Sequence, residues 1–167
     1  EALFEKIKKT LKDYKIIKIE PKEIDAAVES DHLNLNWLEA DKTVEIINEL
    51  KPDKVILDCP SPNINAYVNY LKKGLENKNI EIIAEHHAER YHIVAAASIL
   101  AKYTRDKEVE YIELITGQDI GTGYSSNPIC QKFLKENFEK YPEIFRKSWL
   151  TWKNHKNAKE QKKLDEF

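Results

Sequence analysis

The stretch YHIVAAASILAKYTRDKEV, Tyr91 to Val109, decides the fold, because it places a small-residue packing face and a row of ionisable side chains on one helix. Ala95, Ala96, Ala97 and Ala101 combine high helix propensity with little bulk, so another backbone can approach that face closely. At about 100° per residue, Ser98, Lys102, Arg105 and Asp106 fall within one arc, and Ala96, Ile99, Leu100 and Tyr103 form the arc beside it. Asp106 therefore sits at the seam between core and solvent, where a carboxylate can hold a cation without the full cost of burial. The plainer alternative is that Arg105 and Asp106 are ordinary surface charges on an alanine-rich core helix.

On the amino-terminal side, Leu3, Phe4, Ile7 and Leu11 recur at helical spacing, and Tyr14 to Ile19 reads as a short strand. Pro21 suits the first turn of a helix over 22–29, where its missing N–H costs nothing. A longer helix is expected over 35–50, with Leu38, Val44, Ile46, Ile47 and Leu50 on its apolar side and Pro52 beyond its end. KVILDCPSPN, Lys54 to Asn63, is a short apolar run closed by an acid and two prolines, the pattern of a buried strand ending at a loop. Ligands of open α/β sheets gather beyond the carboxyl ends of strands, which makes Asp58 a candidate site residue. The alternative is that Asp58 caps the following turn. A helix over 65–78 and a strand over 80–86 complete this half. The HHAERYH cluster lacks the spacing of a structural zinc site and has no cysteine near it.

On the carboxyl side, GQDIGTGYSSNP, Gly117 to Pro128, holds three of the chain's four glycines. It reads as a functional loop displaying Tyr124, unless that ring folds back as a lid on the sheet. Asn127 and Pro128 form an N-cap and first-turn pair for a helix to about Lys140, which Pro142 ends. One or two helices then follow, anchored by Trp149 and Trp152. From Arg146 to Lys163 the bases Arg146, Lys147, Lys153, Lys156, Lys159, Lys162 and Lys163 face the single acid Glu160. That cluster is either a solvated helical tail or a phosphate-contacting surface.

The 167 residues, 41% hydrophobic and 34% charged, are enough for one domain with a real core and too few for two comfortable ones. A net charge of -2 excludes a globally basic nucleic-acid binder, so any polyanion site must come from local clustering. Cys59 and Cys130 read as free thiols of a reducing compartment. The longest apolar run, Ile93 to Ala101 broken by Ser98, is well short of the roughly 20 residues that span a bilayer, so no membrane partner is expected. There is no methionine, and residue 1 therefore reads as an internal position of a longer protein. Acids at a strand end and on the central helix suggest metal-assisted hydrolysis, since several carboxylates can hold divalent ions against a phosphodiester.

VAAASILAKYTRD (Val94 to Asp106), then GTGYSSNP (Gly121 to Pro128), then RKSW (Arg146 to Trp149) resemble ribonuclease HII, the type 2 ribonuclease H family. AEHHAE before the helix and VILDCP upstream fit the same pattern, and the match runs in order over essentially the whole chain. The resemblance implies an α/β, ribonuclease H-like fold: a mixed sheet flanked by helices, with a helical carboxyl-terminal extension. The expected division is a catalytic domain over 1–145 and a basic helical segment over 146–167. The implied activity is endonucleolytic cleavage of the RNA strand of RNA/DNA hybrids and of ribonucleotides embedded in DNA. It uses Mg²⁺ or Mn²⁺ and leaves 5′-phosphate ends. Asp58 and Asp106 match metal-binding catalytic carboxylates. Tyr124 matches the tyrosine that packs on the sugar at the RNA-to-DNA junction and helps sense the 2′-OH, a reasonable discriminator where an A-like groove offers little base information. Ser98 and Lys102 on the helix and Arg146 in the basic cluster are assigned to substrate binding. A cytoplasmic monomer is expected.

The sequence also departs from the family. Its site has four carboxylates, two of them in an amino-terminal Asp-Glu-Ala-Gly-Arg-Gly strand motif that these residues do not contain, and ALFEKI resembles the helix that follows it. Asn127 stands where Asp is common, and HHAE where His-Lys-Ala-Asp is usual, changes expected to tune binding. The alternative function is a hybrid-binding fragment that lacks half its metal ligands. A transposase- or resolvase-type protein of the same fold is disfavoured by the tyrosine loop.

Overall fold

A computed structural model describes the backbone of residues 1–165, and the side chains through Ala158 together with Gln161. The side chains of Lys159, Lys162 and Lys163, part of the basic cluster, lie outside the described set. The chain groups into two compact units, residues 1–18 with 32–104, and residues 19–31 with 105–167.

The first unit is built on a βαβ element. Helix α1 (Ala2–Thr10) and helix α3 (Leu35–Leu50) precede strand β1 (Lys54–Asp58), helix α4 (Ile64–Gly74) and strand β2 (Glu81–Glu85). The described sheet has two parallel strands, with Asp58 opposite Glu85. Parallel pairing needs a crossover, and α4 supplies it. Asn34 starts α3 by accepting the Trp37 N–H at 3.1 Å, and Asn63 starts α4 by accepting the Ala66 N–H at 3.0 Å. Ala40, Cys59, Tyr67 and Leu71 form one buried cluster, and Ile47, Val55, Leu75 and Ile80 a second. Burial of a side chain the size of Leu71 or Leu75 stabilises by about 1.5–3 kcal/mol. Helices α3 and α4 meet closely at Gly74, where a Cβ would come within 2.9 Å of Val44 Cγ1. Trp37 stacks on Tyr70 at 4.5 Å.

Three expectations change here. Tyr14 to Ile19 forms no strand, because a short apolar segment without a paired neighbour has no ladder to join. Helix α4 stops at Gly74 rather than near Lys78, because Leu75 turns to extended backbone (φ -71°, ψ 137°) and enters the core. The alanine face of the central helix is only half covered: Ala95 and Ala96 are half-buried, Ala97 and Ala101 are exposed, and Leu100 is the buried residue of that helix.

The central helix α5 (His92–Thr116) is longer than its sequence core, and its residues divide between the units at Thr104 and Arg105. The second unit contains α2 (Pro21–Glu29), the end of α5, a glycine loop, α6 (Pro128–Asn137) and α7 (Leu150–Asp165). Asn127 caps α6 as expected, its Oδ1 accepting the Ile129 and Cys130 N–H groups. Helix α6 ends at Asn137 rather than near Lys140, since the Asn137 carbonyl accepts from both Lys140 and Tyr141 in a turn. Phe133, Phe138, Phe145 and Trp152 form an aromatic cluster with centroids 5.5–5.7 Å apart. Both cysteines are free. Among the described residues no helix is long and apolar enough to cross a membrane.

Candidate active site

In the first unit, β1 delivers Asp58 to the rim of an apolar trough of about 510 Å³. Ile56 and Leu57 of β1, Val94 and Ala97 of α5, and Glu39 of α3 also line it. Asp58 does not cap the turn that follows it. Its Oδ1 faces the Ala88 N–H at 3.4 Å, while Ser61 Oγ accepts the Asn63 N–H at 3.2 Å and closes that turn. A contact as long as 3.4 Å commits little of the carboxylate, so its lone pairs remain usable. His86 Nδ1 lies 3.1 Å from the Cys59 carbonyl, so this histidine is engaged by the backbone at the strand end.

Glu39 escaped the sequence reading. It keeps solvent contact, yet the crowding of surrounding protein and then the Asp58 charge push its carboxyl above the usual range. Only its position on α3, facing a strand end from a distant part of the chain, reveals it; a lone Glu in a helix carries no such signal. Ser98 and Lys102 are exposed on α5 of the same unit.

In the second unit, Arg105 joins two of the anticipated residues. Its Nη1 donates to Asp106 Oδ1 at 3.0 Å, and its guanidinium carbon lies 3.9 Å from the Tyr124 ring centroid. Tyr124 is 51% exposed, a displayed ring. Gly123 makes this possible. Its φ of +68° suits glycine, and a Cβ there would lie 2.7 Å from Val109 Cγ2 and 3.0 Å from Arg105 Nη2.

Arg146 and Trp149 also belong to this unit, with the guanidinium carbon 4.5 Å from the indole ring. Both border a cavity of about 310 Å³ walled by Phe133, Phe145 and Trp152. Burial draws the Arg146 guanidinium below its usual pKa, which the Asp25 charge partly offsets. Asp25, another residue the sequence did not disclose, accepts the Lys147 and Ser148 N–H groups beside Arg146.

Asp58 and Asp106 offer hard oxygen donors of the kind a divalent cation takes. Among the described residues no group of three or more His, Cys, Asp or Glu is placed to hold a metal ion. One or two carboxylates, with water and substrate phosphate oxygens completing the shell, is a usual arrangement for Mg²⁺. The donor chemistry therefore fits such an ion.

The first unit thus offers the strand-end acid Asp58, and the second offers Asp106 tied through Arg105 to the displayed Tyr124, each a candidate site residue. The model of the family described as Ribonuclease HII matches residues 1–152. Ribonuclease HII of Pyrococcus horikoshii is 38% identical, over 100% of this chain and 77% of that protein. Ribonuclease HII of Methanococcus maripaludis strain C7 is 41% identical, over 98% of this chain and 70% of that protein. Among solved structures, ribonuclease H2 from Pyrococcus horikoshii OT3 superposes with a TM-score of 0.82 at 36% identity, over 94% of this chain and 74% of that one. The ribonuclease HII in a PCNA complex from Archaeoglobus fulgidus gives a TM-score of 0.68 at 30% identity, over 84% and 65%. The chain belongs to the ribonuclease HII family.

Proposed function

We propose that this protein is an endonuclease that hydrolyses the RNA strand of RNA/DNA hybrids and cuts at ribonucleotides embedded in DNA, leaving 5′-phosphate ends. The observation that carries the reading is the position of Arg105, which binds Asp106 Oδ1 at 3.0 Å and covers the Tyr124 ring at 3.9 Å. One guanidinium thereby ties a candidate metal carboxylate to a candidate sugar sensor. Asp58 and Asp106 would hold Mg²⁺ or Mn²⁺, which supplies Lewis acidity toward the phosphodiester and lowers the pKa of water. Tyr124 lays its ring on the sugar and brings its hydroxyl to the 2′-OH, the group that separates RNA from DNA. Ser98 and Lys102 meet the substrate from α5, and Arg146 meets it from the basic segment 146–167, which follows a catalytic domain over 1–145. The protein works as a cytoplasmic monomer. The test is a cleavage assay on a duplex with a single embedded ribonucleotide and on a long hybrid, with all-DNA duplex as control. Cutting of the all-DNA duplex at a comparable rate refutes the assignment.

A second reading, hybrid binding without cleavage, is favoured by the lack of a three-donor group among the described residues. Binding assays run beside the cleavage assay separate the two.

A further inference from the structure

We propose that Asp25, in α2 and outside every motif of the family resemblance, is a positioning residue for substrate binding that clamps the turn from which Arg146 reaches the nucleic-acid backbone. The inference rests on the reading of Arg146 as a substrate contact and deepens it. Asp25 is 9% exposed, and its two carboxylate oxygens are spent on consecutive backbone amides. Oδ2 accepts the Lys147 N–H at 2.8 Å and Oδ1 accepts the Ser148 N–H at 2.9 Å, across 122 and 123 residues of sequence. The Ser148 hydroxyl faces the same carboxylate without reaching hydrogen-bond geometry.

Those two amides lie inside the turn that the Trp149 N–H closes on the Arg146 carbonyl at 3.2 Å, immediately before α7. Neither amide belongs to the helix ladder, so each needs an acceptor from outside, and that acceptor determines how this segment lies. A charged acceptor gripping two of them is a strong, directional tie. The turn so fixed carries Arg146 with its guanidinium on the Trp149 ring. Arg146 Nε is buried and finds no hydrogen-bond partner among the described residues. Asp25 thus spends its oxygens on backbone, and a guanidinium held over an aromatic plane has little rotamer freedom left to lose on meeting a phosphate.

A purely structural anchor would act on stability alone, whereas a positioning residue must act through Arg146. The experiment compares wild type, Asp25→Asn, Asp25→Ala, Arg146→Ala and the double variant Asp25→Asn/Arg146→Ala in the protein as the cell makes it. It reads KM and kcat on an RNA/DNA hybrid, the salt dependence of hybrid binding, and Tm. Arg146→Ala is expected to raise KM about tenfold and to reduce the log–log salt slope by about one, the signature of one lost phosphate contact. Asp25→Asn, which keeps one acceptor oxygen, should raise KM several-fold with kcat within about twofold, and Asp25→Ala should raise it further. The double variant should be no worse than Arg146→Ala. If Asp25→Ala does not fold, Asp25→Asn and the double variant decide the matter. Losses that multiply in the double variant, or an Asp25→Asn with wild-type KM and slope beside an impaired Arg146→Ala, overturn the clamp and leave Arg146 as a contact. An Arg146→Ala with wild-type KM and slope overturns both.

Discussion

Asp58→Asn and Asp106→Asn keep the volume of each side chain and remove the charge that would orient an ion at the scissile phosphate. Each is expected to lower turnover of a junction substrate by on the order of 10² or more. Activity within twofold of wild type in a steady-state assay would remove that residue from the site. Tyr124 separates recognition from chemistry. Tyr124→Ala should lose more kcat/KM at a single embedded ribonucleotide, where one 2′-OH supplies the signal, than on a long hybrid with many registers. Tyr124→Phe should be milder. Since Arg105 covers the ring at 3.9 Å, Arg105→Ala should share the embedded-ribonucleotide bias of Tyr124→Ala. Equal losses on both substrates for Tyr124→Ala would reduce the ring to packing. At this scale Asp58, Asp106 and Tyr124 were marked as candidates because each sits at a punctuated place: a strand end, a helix seam, a glycine loop. Glu39 and Asp25 were not, since each is an unremarkable acid in a helix whose partners lie in distant sequence.

At the scale of elements, the α2 carboxylate makes a pH prediction. Burial alone would raise the Asp25 carboxyl, but the hydrogen bonds from Ser148 and Lys147 and the Arg146 charge outweigh it and hold it below the usual range. A lowered folded value means that the stabilisation is whole above the ordinary Asp value and is lost as pH falls through the lowered one. Acid titration of wild type should therefore show destabilisation beginning below about pH 4, and Asp25→Asn should show a shallower acid limb. Parallel curves would dismiss the tie. Helix α4 predicts the opposite limb. Burial, outweighing a Thr43 hydrogen bond, pushes the Tyr67 hydroxyl up to about 12, and the Glu39 and Cys59 charges add to the rise. The folded form retains this proton more tightly, so stability is whole below about pH 10 and erodes as pH climbs from there toward 12. Tm measured from pH 8 to 11 should fall less for Tyr67→Phe than for wild type across the upper part of that range. The helices α1, α2 and α3 and the strand β1 were readable from apolar spacing, apolar runs and proline placement. The ends of α4 and α6 were not, because Leu75 and Asn137 are claimed by the core and by a turn that periodicity does not encode.

For the whole molecule, divalent metal dependence follows from family membership. Dialysis against EDTA should abolish cleavage, and adding back Mg²⁺ or Mn²⁺ should restore it while hybrid binding survives the chelation in part through Arg146 and the basic segment. Cleavage that persists in EDTA would refute metal-assisted chemistry.

Local sequence determined what local physics governs. Alanine content and spacing produced α5, Asn127 with Pro128 started α6, and the closed apolar run Lys54–Asp58 became β1. Order and spacing of motifs along the chain were enough to name the family. Contacts across long sequence distance were decided only in three dimensions. The Asp25 clamp spans 122 residues, Glu39 meets the trough of Asp58 from another helix, and Arg105 reaches Tyr124 only because Gly123 lets the loop approach α5. The physical reason is that a helix or turn is selected by neighbours within a few residues, whereas a buried carboxylate finds its partners only after the chain has collapsed and every polar group left inside must be satisfied.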